Sequence, residues 1–322
     1  MTRVNQLGKI KRFGVLGTLA LLGHAANYMG RKHLLRQSHM VRRIHGYRLW
    51  LDLRDPGLSR DVAIRGTREE QMQYLVEREL RPGDVVLDIG ANIGYYTMMM
   101  AGIVGDAGLV YAIEPEPRNY RLLGDNVRLN GMDGRVETFP LAASDRVGTA
   151  RLFVSAYSNL NTLFPDSYDG MRTPGIADAA IETPMTDLSS FLEGKRPVDL
   201  LRMDIEGAEV EVLGGLAPAI ETGLFSGRIL FEVHRPKYND DNHSMRKPLR
   251  WLFDHGYHAR TLTSNDERRS RLRDRGYEPS RVVQTSDTRY MGVYDGVTDD
   301  DAIALLCDIG GVRDILLAKD PR

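Results

Sequence analysis

Residues 84–97, Asp-Val-Val-Leu-Asp-Ile-Gly-Ala-Asn-Ile-Gly-Tyr-Tyr-Thr, constrain what this chain can fold into more than any other segment. An apolar run from Val85 to Leu87 leads into an acid, Asp88, then a turn with Gly90 and Gly94, then a helical pattern. Strand, tight turn and helix in that order make a pocket for a nucleotide-like ligand, because glycine lets the backbone come close to it. A dinucleotide-binding turn spaces its glycines as G-x-G-x-x-G. Here three residues separate Gly90 from Gly94, and an acid precedes both. A carboxylate facing such a turn repels a pyrophosphate and suits a cationic ligand.

The surrounding pattern places this unit in an α/β fold. Residues 46–66 read as a small hairpin with its turn at Pro56-Gly57. Thr67 and Glu70 form a capping-box pattern ahead of the stripe Met72, Leu75, Val76 and Leu80, which Pro82-Gly83 ends. After Val85–Asp88 come a helix from Ile93 to Ile103, a strand at Leu109–Ile113, and a helix from Pro117 to Asn130-Gly131. Strands are then expected at Arg135–Leu141, Ala150–Val154, Leu200–Asp204 and Arg228–Val233, with a helix starting over Gly207–Leu213. Such alternation predicts a mostly parallel sheet with helices on both faces. A helix at Met245–His255 and strands at Tyr257–Leu262, Arg289–Tyr294 and Asp314–Ala318 follow. Residues 155–184 lack a period and read as a functional loop, and 264–288 as a charged, exposed insertion. The chain divides into a basic arm (1–48), a hairpin and helix (49–83), and the main domain (84–322).

Charge is unevenly spread. The net charge of −1 splits into +10 for residues 1–48, which hold ten Lys and Arg and no acid, and −11 for the rest. Within the arm, Phe13 to Gly23 is apolar but falls short of the roughly 20 residues that span a bilayer. It reads as a peripheral membrane attachment, with a packing segment or a signal cut near Ala25 and Ala26 as alternatives. No aromatic-interleaved basic patch points to nucleic acid. Cys307, the single cysteine, rules out an internal disulfide and a cysteine-built zinc site, and suits a reducing compartment.

Ligands of open α/β sheets bind beyond the carboxyl ends of the strands. Asp88, Glu114, Asp204, Glu232 and His234 all fall at or near such ends. Glu114 can accept two ribose hydroxyls, each charged bond being worth roughly 1.5–3 kcal/mol. His234 has the side chain most often used as a general base, and Asp204 and Glu206 lie beside the same edge. Glu209 reads as an acid favoured by the first turn of a helix. These carboxylates with His234 also suit a divalent cation chemically, but their spacing matches no dedicated motif, so no metal site is expected.

Three segments in this order, Asp88-Ile-Gly-Ala-Asn-Ile-Gly-Tyr-Tyr-Thr, Ala112-Ile-Glu-Pro-Glu-Pro and Leu201-Arg-Met-Asp-Ile-Glu-Gly-Ala-Glu, resemble the FkbM-type methyltransferases. Phe231-Glu-Val-His does too, so the resemblance spans roughly 60–240. It implies a class I methyltransferase fold: a Rossmann-like, seven-stranded, mostly parallel sheet with its last strand antiparallel. It implies S-adenosylmethionine (SAM) as cofactor, and O-methylation of a sugar, glycolipid or polyketide-like acceptor. By matching position, Asp88, Gly90, Ala91, Asn92 and Gly94 would form the methionine-side turn and Glu114 would hold the ribose. Ala143, Ser144 and Asp145 would border the adenine, and the loop starting at Ser158 would face the acceptor. From its own strand-end placement His234 is expected as the base, with Asp204 orienting the substrate hydroxyl or the base and Glu206 beside them. Arg202 departs from the family, where lysine is usual. A SAM-dependent enzyme would work in the cytoplasm, peripheral to the membrane if the arm holds it there. The rival readings are an NAD-dependent oxidoreductase on a related sheet and a non-catalytic, membrane-attached SAM-binding protein.

Overall fold

Alternating apolar strands and amphipathic helices must bury both faces of each strand, and the chain does so in three layers. The computed structural model describes residues 17–166, 171–239 and 243–319. Helix α1 (17–29) widens into a π-type turn at Gly30–Leu34 and precedes the hairpin of β1 (His39–Ile44) and β2 (Tyr47–Asp52). Helices α2 (Leu58–Arg65) and α3 (Glu70–Glu79) lead to β3 (Val85–Ile89), α4 (Tyr95–Val104), β4 (Leu109–Ile113), α5 (Pro117–Leu129) and β5 (Val136–Phe139). A side sheet of β6 (Ala142–Ser144), β7 (Gly148–Ser155) and β8 (Ile176–Asp187) comes next. The main sheet resumes with α6 (Leu188–Leu192), β9 (Leu200–Met203), α7 (Glu209–Glu221) and β10 (Arg228–Glu232). Then follow α8 (Arg246–Asp254), β11 (Tyr257–Ser264), β12 (Arg281–Gln284), β13 (Tyr290–Asp295), α9 (Asp299–Ile303) and β14 (Val312–Lys319).

The main sheet runs β12-β13-β11-β14-β10-β9-β3-β4-β5. Strands β5, β4, β3, β9 and β10 are parallel, and β14 lies antiparallel between β10 and β11. The chain reverses direction along the sheet between β3 and β9, and the cleft opens at that switch. Alternation explains the layers. Val86, Val110, Leu200 and Leu230 join the core on one face, and Leu87, Ile113, Leu201 and Phe231 the core on the other.

The sheet has nine strands rather than seven. The two additional strands, β12 and β13, pair as a hairpin at the β11 edge, and β12 comes from the 264–288 stretch. That stretch is not simply exposed: Leu272, Ser270 and Thr285 are buried, and the Ser286 amide donates to the Glu70 carboxylate. Glu70 is thereby taken from the expected capping box, and α3 starts instead behind Glu69, whose φ of 52° is left-handed. The expected loop at 155–184 is partly a strand, since β8 pairs with β7 from Ile176 through Pro184 and buries Thr183. Strand β2 forms as expected, but it pairs with β1 upstream, while Pro56-Gly57 starts α2.

The hairpin is fixed to α5 by two asparagines. Asn126 accepts from the Trp50 amide at 2.6 Å and its amide donates to the Trp50 carbonyl and, at 2.7 Å, to that of Ile93. One turn on, Asn130 makes the same double contact with the Arg48 backbone. Four helical residues rise about 6 Å, close to the roughly 6.7 Å between alternate strand residues. The helix therefore supplies the donors and acceptors of a missing strand neighbour, closing an edge that would otherwise be open. Replacing Asn126 by Ala should cost about 1–3 kcal/mol, because it orphans buried backbone groups. Urea unfolding of the variant checks this, and an unchanged midpoint would remove the edge-closing role.

Candidate active site

The glycine turn is built by close approach. Gly90 has φ +79°, and a Cβ there would lie 2.2 Å from the Asp204 carbonyl oxygen, so β3 and β9 meet only because this side chain is absent. Gly94 has φ +88°, and a Cβ there would meet Leu123 of α5 at 2.8 Å. The turn amides are all donated within the protein. Gly90 and Ala91 donate to the Ile113 carbonyl, Asn92 to Glu114, Ile93 to the Asn92 side chain, and Gly94 to the Ala91 carbonyl.

A cleft with about 540 Å³ of empty space, part of it open to solvent, lies over this turn. Gly90, Asn92, Glu114, Ala143, Asp204 and Glu206 line it, together with Ile113, Pro115, Ala142 and Leu152, which give it an apolar wall. Its charged lining residues are all acids. Ala91 lines the adjoining cleft on the Tyr96 and Arg68 side. Residues Ser158 to Leu163 close the cleft from above. The buried Asp55 accepts from the amide and hydroxyl of Ser158, and Asn92 and Asn119 donate to the Ser158 carbonyl.

Not every expected residue faces the cleft. Asp88 is fully buried and its carboxylate is taken by Arg202 at 3.2 Å and the Thr97 hydroxyl at 2.6 Å. It anchors the turn from beneath and is not among the residues that line the cleft. Gly94 starts α4, Ser144 is buried beside α7, and Asp145 turns outward to Arg146. Of the three residues expected to border the adenine, Ala143 lines the cleft, beside Ala142 and Leu152.

Arg202 joins the two strand ends. Its guanidinium reaches Asp88 with one nitrogen and Asp204 with another at 3.0 Å, and its carbon stands 4.4 Å from the Tyr96 ring centroid. Parallel register places Asp88 opposite Arg202, so the pair follows from strand pairing.

Beyond β9, Glu206 takes φ 54°, a strained value for a side-chain-bearing residue, and Asn92 and Glu69 around the same cleft share that region. Burial pushes the Asp204 carboxyl up to about 6 and the Glu206 carboxyl up to about 7. His234 is nine-tenths buried behind them. Its Nδ1 lies 2.8 Å from Glu209, and its Nε2 lies 3.2, 3.6 and 3.8 Å from Glu232, Glu206 and Asp204. Burial opposes its charge, but the Glu206, Glu209 and Glu232 carboxylates outweigh burial and hold it well above the usual histidine range. His234, expected as the base, lies outside the cleft lining, behind Asp204 and Glu206. Glu209 stands in the first turn of α7 as expected, but it is fully buried there and accepts from His234 and from the Tyr238 hydroxyl. Nothing in its local sequence separates that role from a first-turn acid, whereas Arg68 and Glu69, which reach the cleft edge from before α3, gave no signal at all.

With this geometry in place, comparison with known proteins gives the family. The methyltransferase FkbM domain model matches residues 88–279, from the strand-end acid through the His234 cluster. The chain belongs to the FkbM methyltransferase family. Within it, the chain is 32% identical over 165 residues to 31-O-demethyl-FK506 methyltransferase FkbM of Streptomyces tacrolimicus, covering 44% of this chain and 62% of that protein. It is 29% identical over 157 residues to methyltransferase sdnD of Sordaria araneosa, covering 41% and 60%. The chain thus spans about three fifths of the length of these relatives. Among solved structures, the FkbM methyltransferase of Methylobacillus flagellatus aligns with TM-score 0.33 at 17% identity, over 47% of this chain and 33% of that one. M. jannaschii TYW2 in complex with AdoMet aligns with TM-score 0.40 at 16% identity, over 88% of each.

Two substitutions test the site of this FkbM-family protein. Arg202→Met leaves Asp88 and Asp204 without their cation and should lower stability by about 3–5 kcal/mol. Arg202→Lys, reaching one acid at a time, should recover part of that loss in thermal unfolding; a variant as stable as the parent would dismiss the bridge. Glu114 provides the second. Burial raises its carboxyl to about 7 against the Glu116 and Asn92 amides, which lower it. A raised folded value means its contribution is full below the ordinary value of about 4.5 and is lost as pH rises through about 7. Relative to Glu114→Gln, the parent should lose up to about 3 kcal/mol between pH 4 and 8. Parallel pH profiles in urea unfolding would refute this.

Proposed function

We propose that this protein is a SAM-dependent O-methyltransferase acting on a hydroxyl-bearing small molecule or glycan. One observation carries the reading: all five turn amides are satisfied internally, and the charged groups lining the cleft are Glu114, Asp204 and Glu206. A diphosphate would find no free backbone amide in the turn and three carboxylates against it, so the NAD-dependent alternative is disfavoured. A positively charged adenosyl ligand finds what it needs. The apolar wall of Ile113, Ala143 and Leu152 suits an adenine. Each Glu114 oxygen already accepts one amide and keeps a lone pair for a ribose hydroxyl.

Bound SAM supplies an electrophilic methyl group on a sulfonium. The chain's own task is to align an acceptor and take its proton, and alignment alone can supply about 7–11 kcal/mol. Glu206 is the group assigned to receive the hydroxyl proton, with Asp204, fixed by Arg202, orienting the acceptor. His234 then acts by holding Glu206, Glu209 and Glu232 in place. The acceptor side continues from the cleft toward Arg68, Glu69, Gln71 and Asn159, a polar wall that favours a hydroxyl-rich molecule. The fully buried Gln71 amide has no partner on either of its polar atoms.

The N-terminal helix supports membrane proximity. No helix of the described residues is long and apolar enough to cross a membrane. Leu19, Leu22, Leu34 and Leu35 are nevertheless exposed near Arg31, Lys32 and Arg36, a combination that suits an anionic lipid surface. The first part of the apolar segment, up to residue 16, lies outside the described residues.

Calorimetry with SAM and with NAD, followed by labelled SAM with extract separated into lipid, polysaccharide and small-molecule fractions, tests these assignments. SAM should bind and NAD should not, and Glu206→Gln should lower turnover about 10²–10⁴-fold while SAM still binds. Label in the lipid fraction supports the membrane role, and label confined to small molecules rejects it. Absence of SAM binding would end the proposal.

A further inference from the structure

Behind the cleft the imidazole of His234 faces a set of oxygens that a proton satisfies poorly. Its Nε2 is inaccessible to solvent and makes no directed hydrogen bond, although three carboxylates surround it. Its other nitrogen is fixed: Nδ1 pairs with Glu209 at 2.8 Å, and Glu209 in turn accepts from Tyr238. A carboxylate on one ring nitrogen, with the other aimed at further carboxylates, is how metal-binding histidines are oriented.

We infer that Asp204, Glu232 and His234 form a site for a divalent first-row metal ion, with Glu206 beside it. One ligand atom from each of the three lies within 4.8 Å of the others. At metal–ligand bonds of about 2.0–2.2 Å, neighbouring ligand atoms stand about 3–3.6 Å apart. The separations of 3.2 Å from Nε2 to Glu232 and 3.8 Å to Asp204 need only a small closure. The outer contacts leave room. Arg202 occupies Oδ2 of Asp204, and Oδ1 is the atom nearest Nε2. Arg313 lies 2.7 Å from Oε1 of Glu232, so its charge competes with the ion and makes a weakly held, exchangeable metal the expectation. One imidazole with carboxylates suits Mn²⁺ or Zn²⁺ better than Ca²⁺, which takes oxygen ligands only.

The inference rests on the geometry of the cluster. Its use in catalysis, a metal polarising the acceptor hydroxyl at the Asp204 edge of the cleft, rests on the methyl-transfer reading. The test uses Mn²⁺ with the chelator-stripped full-length chain, followed by electron paramagnetic resonance. The free-ion signal should fall until one equivalent has bound, and Zn²⁺ should restore it. Asp204→Asn and His234→Gln should abolish the binding. Glu209→Gln, which touches the ligand and not the ion, should weaken it about 10–100-fold. Circular dichroism confirms that each variant is folded. An undiminished free-ion signal with the parent chain, or parent-like binding by both ligand variants, overturns the site. SAM calorimetry on the same samples separates the two ideas: Mn²⁺ bound without SAM sinks the methyl-transfer reading alone, and SAM bound without Mn²⁺ sinks the metal alone.

Discussion

Arg202 holds the two halves of the cleft together. Removing a guanidinium and two carboxylates from water is costly, and the cost is recovered only with well-placed partners. Here adjacent parallel strands supply the placement: Asp88 and Arg202 are register neighbours, and Asp204 lies two residues further along the chain. The Tyr96 ring covers the remaining face of the guanidinium. The turn after β3, the end of β9 and the start of α4 therefore share one charge network. A lysine would offer a point charge there, whereas arginine has two arms and serves both acids.

The rest of the site is organised around an excess of negative charge in a dry place. Glu114, Asp204 and Glu206 face the cleft, and Glu209 and Glu232 lie behind it around His234. Burial of so many carboxylates is tolerable because Arg202, Arg313 and the imidazole lie among them. It also leaves the cleft with an appetite for positive charge, which a methyl-donating sulfonium and a divalent ion would meet at two neighbouring points. Left-handed backbone at Asn92, Glu206 and Glu69 marks the places where the chain bends sharply to present these groups.

Much of this was legible because strand ends are legible. The apolar runs at Val85, Leu109, Leu200 and Arg228 stop at acids or a histidine, and parallel pairing brings those stops to one edge. Roles were less legible than positions. Asp88, expected to face a ligand, faces Arg202 because the two are side by side in the sheet. His234, expected to accept a proton, lies among carboxylates contributed by β10, α7 and the loop after β9, and no local pattern reports that crowding. The 264–288 stretch looked exposed because its charges are dense, yet its few apolar and hydroxyl positions are enough to seat β12 against β13.

The sequence by itself determined the alternation of strands and helices, the glycines that let β3 approach β9, and the acids at the strand ends. These follow from local chemistry: side-chain period, backbone freedom and the stop residues after each apolar run. The tertiary structure alone decided the partners. The pairing of Asp88 with Arg202, the ring of carboxylates around His234, and the asparagines that close the hairpin edge join residues far apart in the chain. Their charge states and hydrogen bonds depend on burial and on neighbours, and those exist only once the sheet has formed.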